Sequence, residues 1–263
     1  MKRVAVITGG SSGIGLCTAQ ALAQKGLTVY ELSRHERTHA DIVHITADVT
    51  DEASLVRAAE QIWQREGRVD ILVNNAGFGI SGAVEFTDTE EAKKQFDVNF
   101  FGMVRTNHAF LPYLRKQGFG RIVNISSVAA PIAIPFQSYY SAAKAAIDSY
   151  TLSLQNELRP YGITVCAVRP GDIKTGFTAA REKSAVGDEA YQGRIARSVS
   201  RMERDEQNGM RPEAAGKFIA RAALRKRTKP LLTIGLSYKC FVMLQKLLPC
   251  RLVNWIVYLL YAK

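Results

Sequence analysis

Short runs of aliphatic and β-branched residues recur at positions 4–8, 28–32, 42–46, 69–73, 121–125, 163–168 and 231–234. Helix-length segments separate most of them, at 13–25, 51–66, 90–117, 138–159 and 212–226. Strands joined by crossovers of a dozen or more residues pair in parallel and put helices on both faces of their sheet. The pattern predicts an α/β fold built on one doubly wound, seven-stranded parallel sheet. Such sheets bind ligands at the carboxyl ends of their strands. Positions 176–210 are charge-rich and follow a strand-end loop, so they are expected to be the least regular stretch and to form a mobile substrate lid.

With 263 residues, 47% of them hydrophobic, the chain can enclose one large core, and a single domain, 1–263, is expected. Only Lys2 and Arg3 precede the apolar run, and Gly9-Gly10 ends it. The N-terminus therefore reads as a strand of a cytoplasmic protein, not as a signal peptide. Cys17, Cys166, Cys240 and Cys250 form no CxxC pair and have no histidines at zinc-site spacing, so buried free thiols are expected, without a disulfide framework or a metal site. The net charge of +11 is gathered at one end: between 210 and 263, eleven Lys or Arg residues stand against one acid, Glu213. That asymmetry suits a solvated basic face or a local anionic partner, such as a membrane surface, better than a nucleic-acid binder.

The first strand runs into Gly9, Gly10, Ser11, Ser12, Gly13, Ile14 and Gly15, where the pattern turns helical. A glycine-rich strand-to-helix turn lets backbone approach a pyrophosphate, and the helix N-terminus adds free N–H groups and a favourable dipole. The second strand ends Glu31-Leu32-Ser33-Arg34. NAD-binding folds place an acid here for the adenosine ribose, but Ser33 takes that position, with Arg34 beside it. A small hydroxyl and a guanidinium suit a 2′-phosphate, so NADP(H) is the expected cofactor. Glu31 is the competing acid, and in this register strand alternation is expected to turn it away from Ser33.

Taken in order, several motifs resemble the short-chain dehydrogenase/reductase family over nearly the whole chain. They are Thr8-Gly9-x-x-x-Gly13-x-Gly15, Asp48-Val49, Asn74-Asn75-Ala76-Gly77, Asp97-Val98-Asn99, Ser126-Ser127, Tyr140-x-x-x-Lys144, and Pro170-Gly171 with Thr175. The resemblance implies a Rossmann-type domain, adenine contacts from Asp48 and Val49, and further cofactor contacts from Asn75, Ala76, Gly77, Pro170, Gly171, Ile173 and Thr175. It also implies that Lys144 holds the nicotinamide ribose, that Ser127 steadies the substrate oxygen, and that Asn99 holds a water in a proton relay to Lys144. For Asn99 the alternative is a helix-bending residue that satisfies its own backbone. Homodimers or homotetramers through the helices after the fourth and fifth strands are implied as well.

Tyr140 and Lys144 stand four apart on a predicted helix, so both project from one face; four residues beyond Tyr139 there is only Ala143. A free phenol titrates near ~10, and a neighbouring ammonium is expected to lower that value. Tyr140 would then protonate a carbonyl oxygen during reduction, or take the alcohol proton during oxidation. His35, His39, His44 and His108 are expected at the surface or on strand edges, without a part in this chemistry.

After 235 the chain continues through Tyr238 to Leu248, turns at Pro249 and ends in an apolar, aromatic run at 252–261, about half the ~20 residues a membrane span needs. This helical extension, 237–263, is flanked by Lys239, Lys246, Arg251 and Lys263. It is expected to lie on a membrane, cap a lipophilic pocket or pack in an interface. Phe78, Ile80 and the apolar stretch 131–136, including Ile134, would line the site. The chain resembles the subgroup of 17β-hydroxysteroid and retinol dehydrogenases, which implies a hydrophobic alcohol or ketone, a steroid or bile acid first. A lipid, 3-oxoacyl or retinoid carbonyl at a membrane surface is the alternative. Outside enzymes, the competing reading is an NADPH-sensing protein without turnover.

Overall fold

The computed structural model describes residues 2–37 and 39–263. Its strands are β1 (Val4–Thr8), β2 (Thr28–Ser33), β3 (Ile42–Thr46), β4 (Ile71–Asn74), β5 (Ile80–Ser81), β6 (Gly120–Ile125), β7 (Ile163–Arg169), β8 (Glu182–Lys183) and β9 (Leu231–Thr233). Seven of them form a parallel sheet in the order β3-β2-β1-β4-β6-β7-β9, while β5 and β8 pair with each other. The order reverses between β1 and β4, and such a reversal opens a crevice at the carboxyl ends of the strands.

The helices are α1 (Gly13–Ala23), α2 (Glu52–Glu66), α3 (Thr89–Phe96), α4 (Gly102–Gln117), α5 (Ser138–Leu158), α6 (Phe177–Ala180), α7 (Arg194–Gln207), α8 (Pro212–Leu224), α9 (Leu236–Leu247) and α10 (Cys250–Tyr261). They cover both faces, as the unbroken apolar strands require. In β1, Val4 and Val6 join a core with Leu55 and Ile62 of α2, Phe110 and Leu114 of α4 and Leu154 of α5. Ala5 and Ile7, pointing the other way, join a second core with Leu22 of α1 and Ile219 of α8. Local signals set the helix limits: the Asp51 side chain accepts from the Ala53 N–H ahead of α2, and Gly67 and Gly118 end α2 and α4 at positive φ.

Three expectations need correction. The long helix at 90–117 is two helices joined by a π-helical segment, Asp97–Phe101. The stretch 176–210 is irregular only in part: besides the turns at 184–193 it holds α6, β8 and the fourteen-residue α7, whose buried Ile195, Ser198 and Met202 form a narrow inward stripe on a helix otherwise dominated by charge. The cysteines are free, but Cys240 and Cys250 are exposed, because α9 and α10 bury little beyond Val242 and Val257.

Candidate active site

Helix α5 starts below the crevice and carries Tyr140 in its first turn and Lys144 one turn later. The Lys144 Nζ lies 5.6 Å from the Tyr140 ring centroid and donates to the Ile125 carbonyl at 2.8 Å, which ties α5 to the end of β6. Ser126 and Ser127 follow β6 directly. The Ser127 hydroxyl accepts from the Ala129 N–H at 3.1 Å and stands against the Tyr140 phenol. The four residues expected to form the proton-transfer group thus converge, Asn99 among them. A Cβ placed on Gly77 would come within 3.0 Å of the Asn99 Oδ1 and 3.8 Å of the Lys144 Nζ, so the missing side chain is what lets both groups close on this loop.

Asn99 sits in the π-helical segment, an irregularity that recurs at functional sites. Its amide does not satisfy its own backbone. It accepts from the Phe78 N–H at 2.9 Å and donates to the Phe78 carbonyl at 2.8 Å. Gln95, which sequence reasoning missed, does the same work beside it, accepting from the Ile80 N–H and donating to the Phe78 carbonyl. Phe78 itself is half-buried with the Lys94 ammonium over its ring, and Ile134 is half-buried. Tyr139 lines an open groove of about 710 Å³ with Phe96 and Phe101, whereas the Tyr140 ring lies 5.9 Å from that of Phe177.

The expected acidification of the phenol is not what the protein alone produces. Burial pushes the Tyr140 phenol up to about 12, opposed by the Ser127 hydroxyl and reinforced by the carboxylate of Glu206. Burial also draws the Lys144 ammonium down to about 8, opposed by Asp148. A lysine whose folded value lies below its unfolded one stabilises the fold above the unfolded value relative to acid, and that stability is lost as pH falls through the folded value. Lys144→Met should therefore raise the melting temperature of the cofactor-free protein at pH 7. The gain, about 3 kcal/mol from the size of the shift, should shrink as pH rises from ~8 and vanish above pH ~11, and paired thermal melts at pH 7 and pH ~11 check it.

A nicotinamide dinucleotide fits the residues at the other end of the crevice. Gly9 and Gly13 have φ of +64° and +53°, and a Cβ on Gly15 would run into the Gly9 carbonyl, so the turn holds its shape only with glycine. Ser12 caps α1 without a side-chain bond and no acid occupies the first turn, which leaves the helix N–H groups to an anion together with Ser11 and Ser12. Asn75 braces this turn from below: its amide donates to the Thr8 and Gly9 carbonyls, each at 3.1 Å, while Thr8 Oγ1 accepts from the N–H groups of Asn75 and Ala76. Thr175 stands 3.7 Å from where a Gly13 side chain would begin.

Several expected cofactor residues have side chains committed elsewhere. Ile14 and Ile173 pack into the second core, leaving their backbone to a ligand. Val49 packs against Gly102, and one oxygen of Asp48 caps the turn at Thr50. Arg34 is exposed, as a phosphate-binding rim requires. Glu31 overturns its expectation: lying two residues before Ser33, it shares that residue's face, is fully buried and accepts from the Ser33 hydroxyl at 3.2 Å. His44 binds the same carboxylate oxygen of Glu31, so this histidine on the edge strand has a structural partner.

What roofs the site comes largely from 176–210, the stretch expected as a lid, but the partners that hold it were not legible in the sequence. Arg181, between α6 and β8, and Thr178 both bind Glu206 of α7. Phe136, Ala83 and Ile195 form a small apolar cluster with Tyr191, Val199 and Ala262 from the chain end. Below, Tyr238 of α9 donates to the Asp172 carboxylate at 2.5 Å and lays its ring where any Cβ on Gly171 would have to go. The C-terminal extension is therefore bolted to the loop that follows β7 and to α7.

Residues 3–185 match the family model described as short chain dehydrogenase. The chain is 39% identical to the 3-ketodihydrosphingosine reductase of Bacteroides thetaiotaomicron, an alignment that covers 99% of this chain and 98% of that protein. With dehydrogenase/reductase SDR family member 7B of Xenopus laevis it shares 33% identity over 94% of this chain and 78% of the other. A short-chain dehydrogenase from Streptomyces avermitilis superposes with a TM-score of 0.84 at 31% identity, over 97% of this chain and 96% of that one. Sequence and fold agree, and the chain belongs to the short-chain dehydrogenase/reductase family of nicotinamide-dependent oxidoreductases.

Proposed function

We propose that the protein is an NADP(H)-dependent reductase of long-chain lipid ketones, with a 3-keto sphingoid base as first candidate. The observation that carries the substrate class is the full-length match to a 3-ketodihydrosphingosine reductase. The bound cofactor supplies the hydride to the carbonyl carbon. As the carbonyl electrons move onto oxygen, Tyr140 gives its proton to that oxygen, and Ser127 holds it by a hydrogen bond. A phenol pushed up to about 12 stays protonated through the neutral range and is still far more acidic than an alcohol, so it suits donation. Lys144 would hold the nicotinamide ribose, and Asn99 fixes the Phe78 backbone beside it.

A substrate panel tests the reading. With NADPH and the full chain, kcat/KM for 3-ketodihydrosphingosine should exceed that for a 17-ketosteroid by about tenfold or more, a difference of about 1.4 kcal/mol in barrier. The reverse order would restore the steroid reading, and no turnover of any ketone would favour the nucleotide sensor.

The choice of NADP(H) rests on Arg34, with Glu31 as its opponent on the neighbouring strand face. Arg34→Asp should reduce the ratio of NADPH to NADH efficiency by about a hundredfold, the loss of a charge-assisted bidentate contact and the gain of a repulsive charge. An unchanged ratio would remove Arg34 from the site. Dimers or tetramers would assemble through α4 and α5, and the exposed Leu152 of α5 and Phe101, the residue before α4, support that reading.

A further inference from the structure

Helices α9 and α10 present their apolar side to solvent. On α9 the exposed residues Leu236, Cys240, Met243, Leu244 and Leu247 recur at the spacing of one helical face, and Leu236 and Leu247 are 78% and 72% exposed. On α10, Leu252, Trp255, Ile256 and Leu259 do the same, with Trp255 56% exposed. A stripe of this spacing ordinarily faces a core, and two such stripes far exceed the scattered apolar residues normal on a surface. The opposite side of the pair is already in use: Tyr238 binds Asp172, Tyr261 binds Asp205 at 3.2 Å, and Ala262 joins the roof cluster. The outward stripes are therefore not misplaced core.

We infer that this face docks on an anionic phospholipid bilayer. Neither helix contains a carboxylate, and Lys239, Lys246, Arg251 and Lys263 punctuate them. A twofold pairing of copies would set these cations against their own equivalents, whereas anionic headgroups complement them. At twelve residues α10 is about 18 Å long, and among the described residues no helix is long and apolar enough to cross a membrane, so the pair lies along the surface. Trp255 and Tyr258 supply the amphipathic rings that favour the headgroup level. Because α10 packs on α7 and its end enters the roof cluster, the inner side of the docked helix rests on the cover of the site.

Co-sedimentation of the full chain with vesicles of phosphatidylcholine and phosphatidylglycerol in equal parts tests the surface. Wild type should sediment with them, more weakly at high salt and more weakly with pure phosphatidylcholine. Leu247→Glu with Trp255→Glu should partition about a hundredfold more weakly, with unchanged melting temperature and unchanged turnover of a water-soluble short-chain ketone. Wild type left in the supernatant, equal sedimentation of the double variant, or equal binding to both vesicle types overturns the inference. So does a lipid-free dimer that the double variant breaks into monomers, since a second copy would then cover the face. Turnover is read separately, so vesicle binding without ketone reduction overturns the functional proposal and supports the surface.

Discussion

Tyr140→Phe is expected to lower kcat/KM for ketone reduction by about a thousandfold, while NADPH binds within a few fold of wild type. The change removes one hydroxyl and leaves the ring beside Phe177, so the fold has no reason to respond. What disappears is the proton source for an oxygen that gains a full negative charge as hydride arrives. General acids contribute about 10² to 10⁴ in rate, and the neighbouring Ser127 hydroxyl is too weak an acid to substitute. Ser127 can still hydrogen-bond the oxygen, which is why some turnover should survive. Stopped-flow nucleotide binding together with steady-state kinetics checks both halves. Activity above a tenth of wild type would assign the proton to another group. The raised phenol also gives an expected pH dependence: at saturating cofactor, kcat for reduction should hold steady through neutrality and fall in strong base as Tyr140 loses its proton, while the limb set by Lys144 shows in cofactor binding.

The parts of this arrangement that were legible in the sequence are those where local chemistry and position coincide. Gly9, Gly13 and Gly15 follow a strand and open a helix, and Tyr140 and Lys144 are spaced by one helical turn; neither statement depends on distant contacts. Charge misled where it masked a narrow apolar stripe, as in α7, and the π-helical segment gave no signal because its five residues are as helix-compatible as their neighbours. The acidification of Tyr140 failed for a different reason. Spacing puts an ammonium near a phenol, but only the three-dimensional packing says that both are desolvated, and desolvation is the largest cause of each shift. Buried polar partners from separate elements were also invisible. Asn74 of β4 donates to both Asn107 and Asn124, and Asn124 donates to Thr151, a chain that binds the floor of the site across β4, β6, α4 and α5. In the sequence only Asn74 stands out, through its motif, and nothing there ties it to Asn107, Asn124 or Thr151.

Asp148 belongs to the same invisible class, and its removal should carry the largest cost in stability. It lies one turn beyond Lys144 on α5, and its Oδ2 accepts from Arg169 Nε at 2.8 Å and makes an ion pair with Nη2 at 2.7 Å. Both residues are buried, and Arg169 is the last residue of β7, immediately before Pro170 and Gly171. The pair therefore joins the helix that carries Tyr140 to the loop expected to hold the nicotinamide. Asp148→Ala leaves a guanidinium buried with its charge uncompensated, a change worth about 3 to 5 kcal/mol, and urea unfolding should show a midpoint lowered accordingly. Replacing both partners, with Asp148→Ala and Arg169→Met, removes the stranded charge, so the double variant should regain at least about 1 kcal/mol over the single one. A single variant as stable as wild type would show that water reaches Arg169 and that the pair does not hold the two elements together. Asp148 also raises the value of Lys144, so its loss should lower that value further and move the alkaline limb of cofactor binding to lower pH, an effect that a purely structural partner of Arg169 would not have.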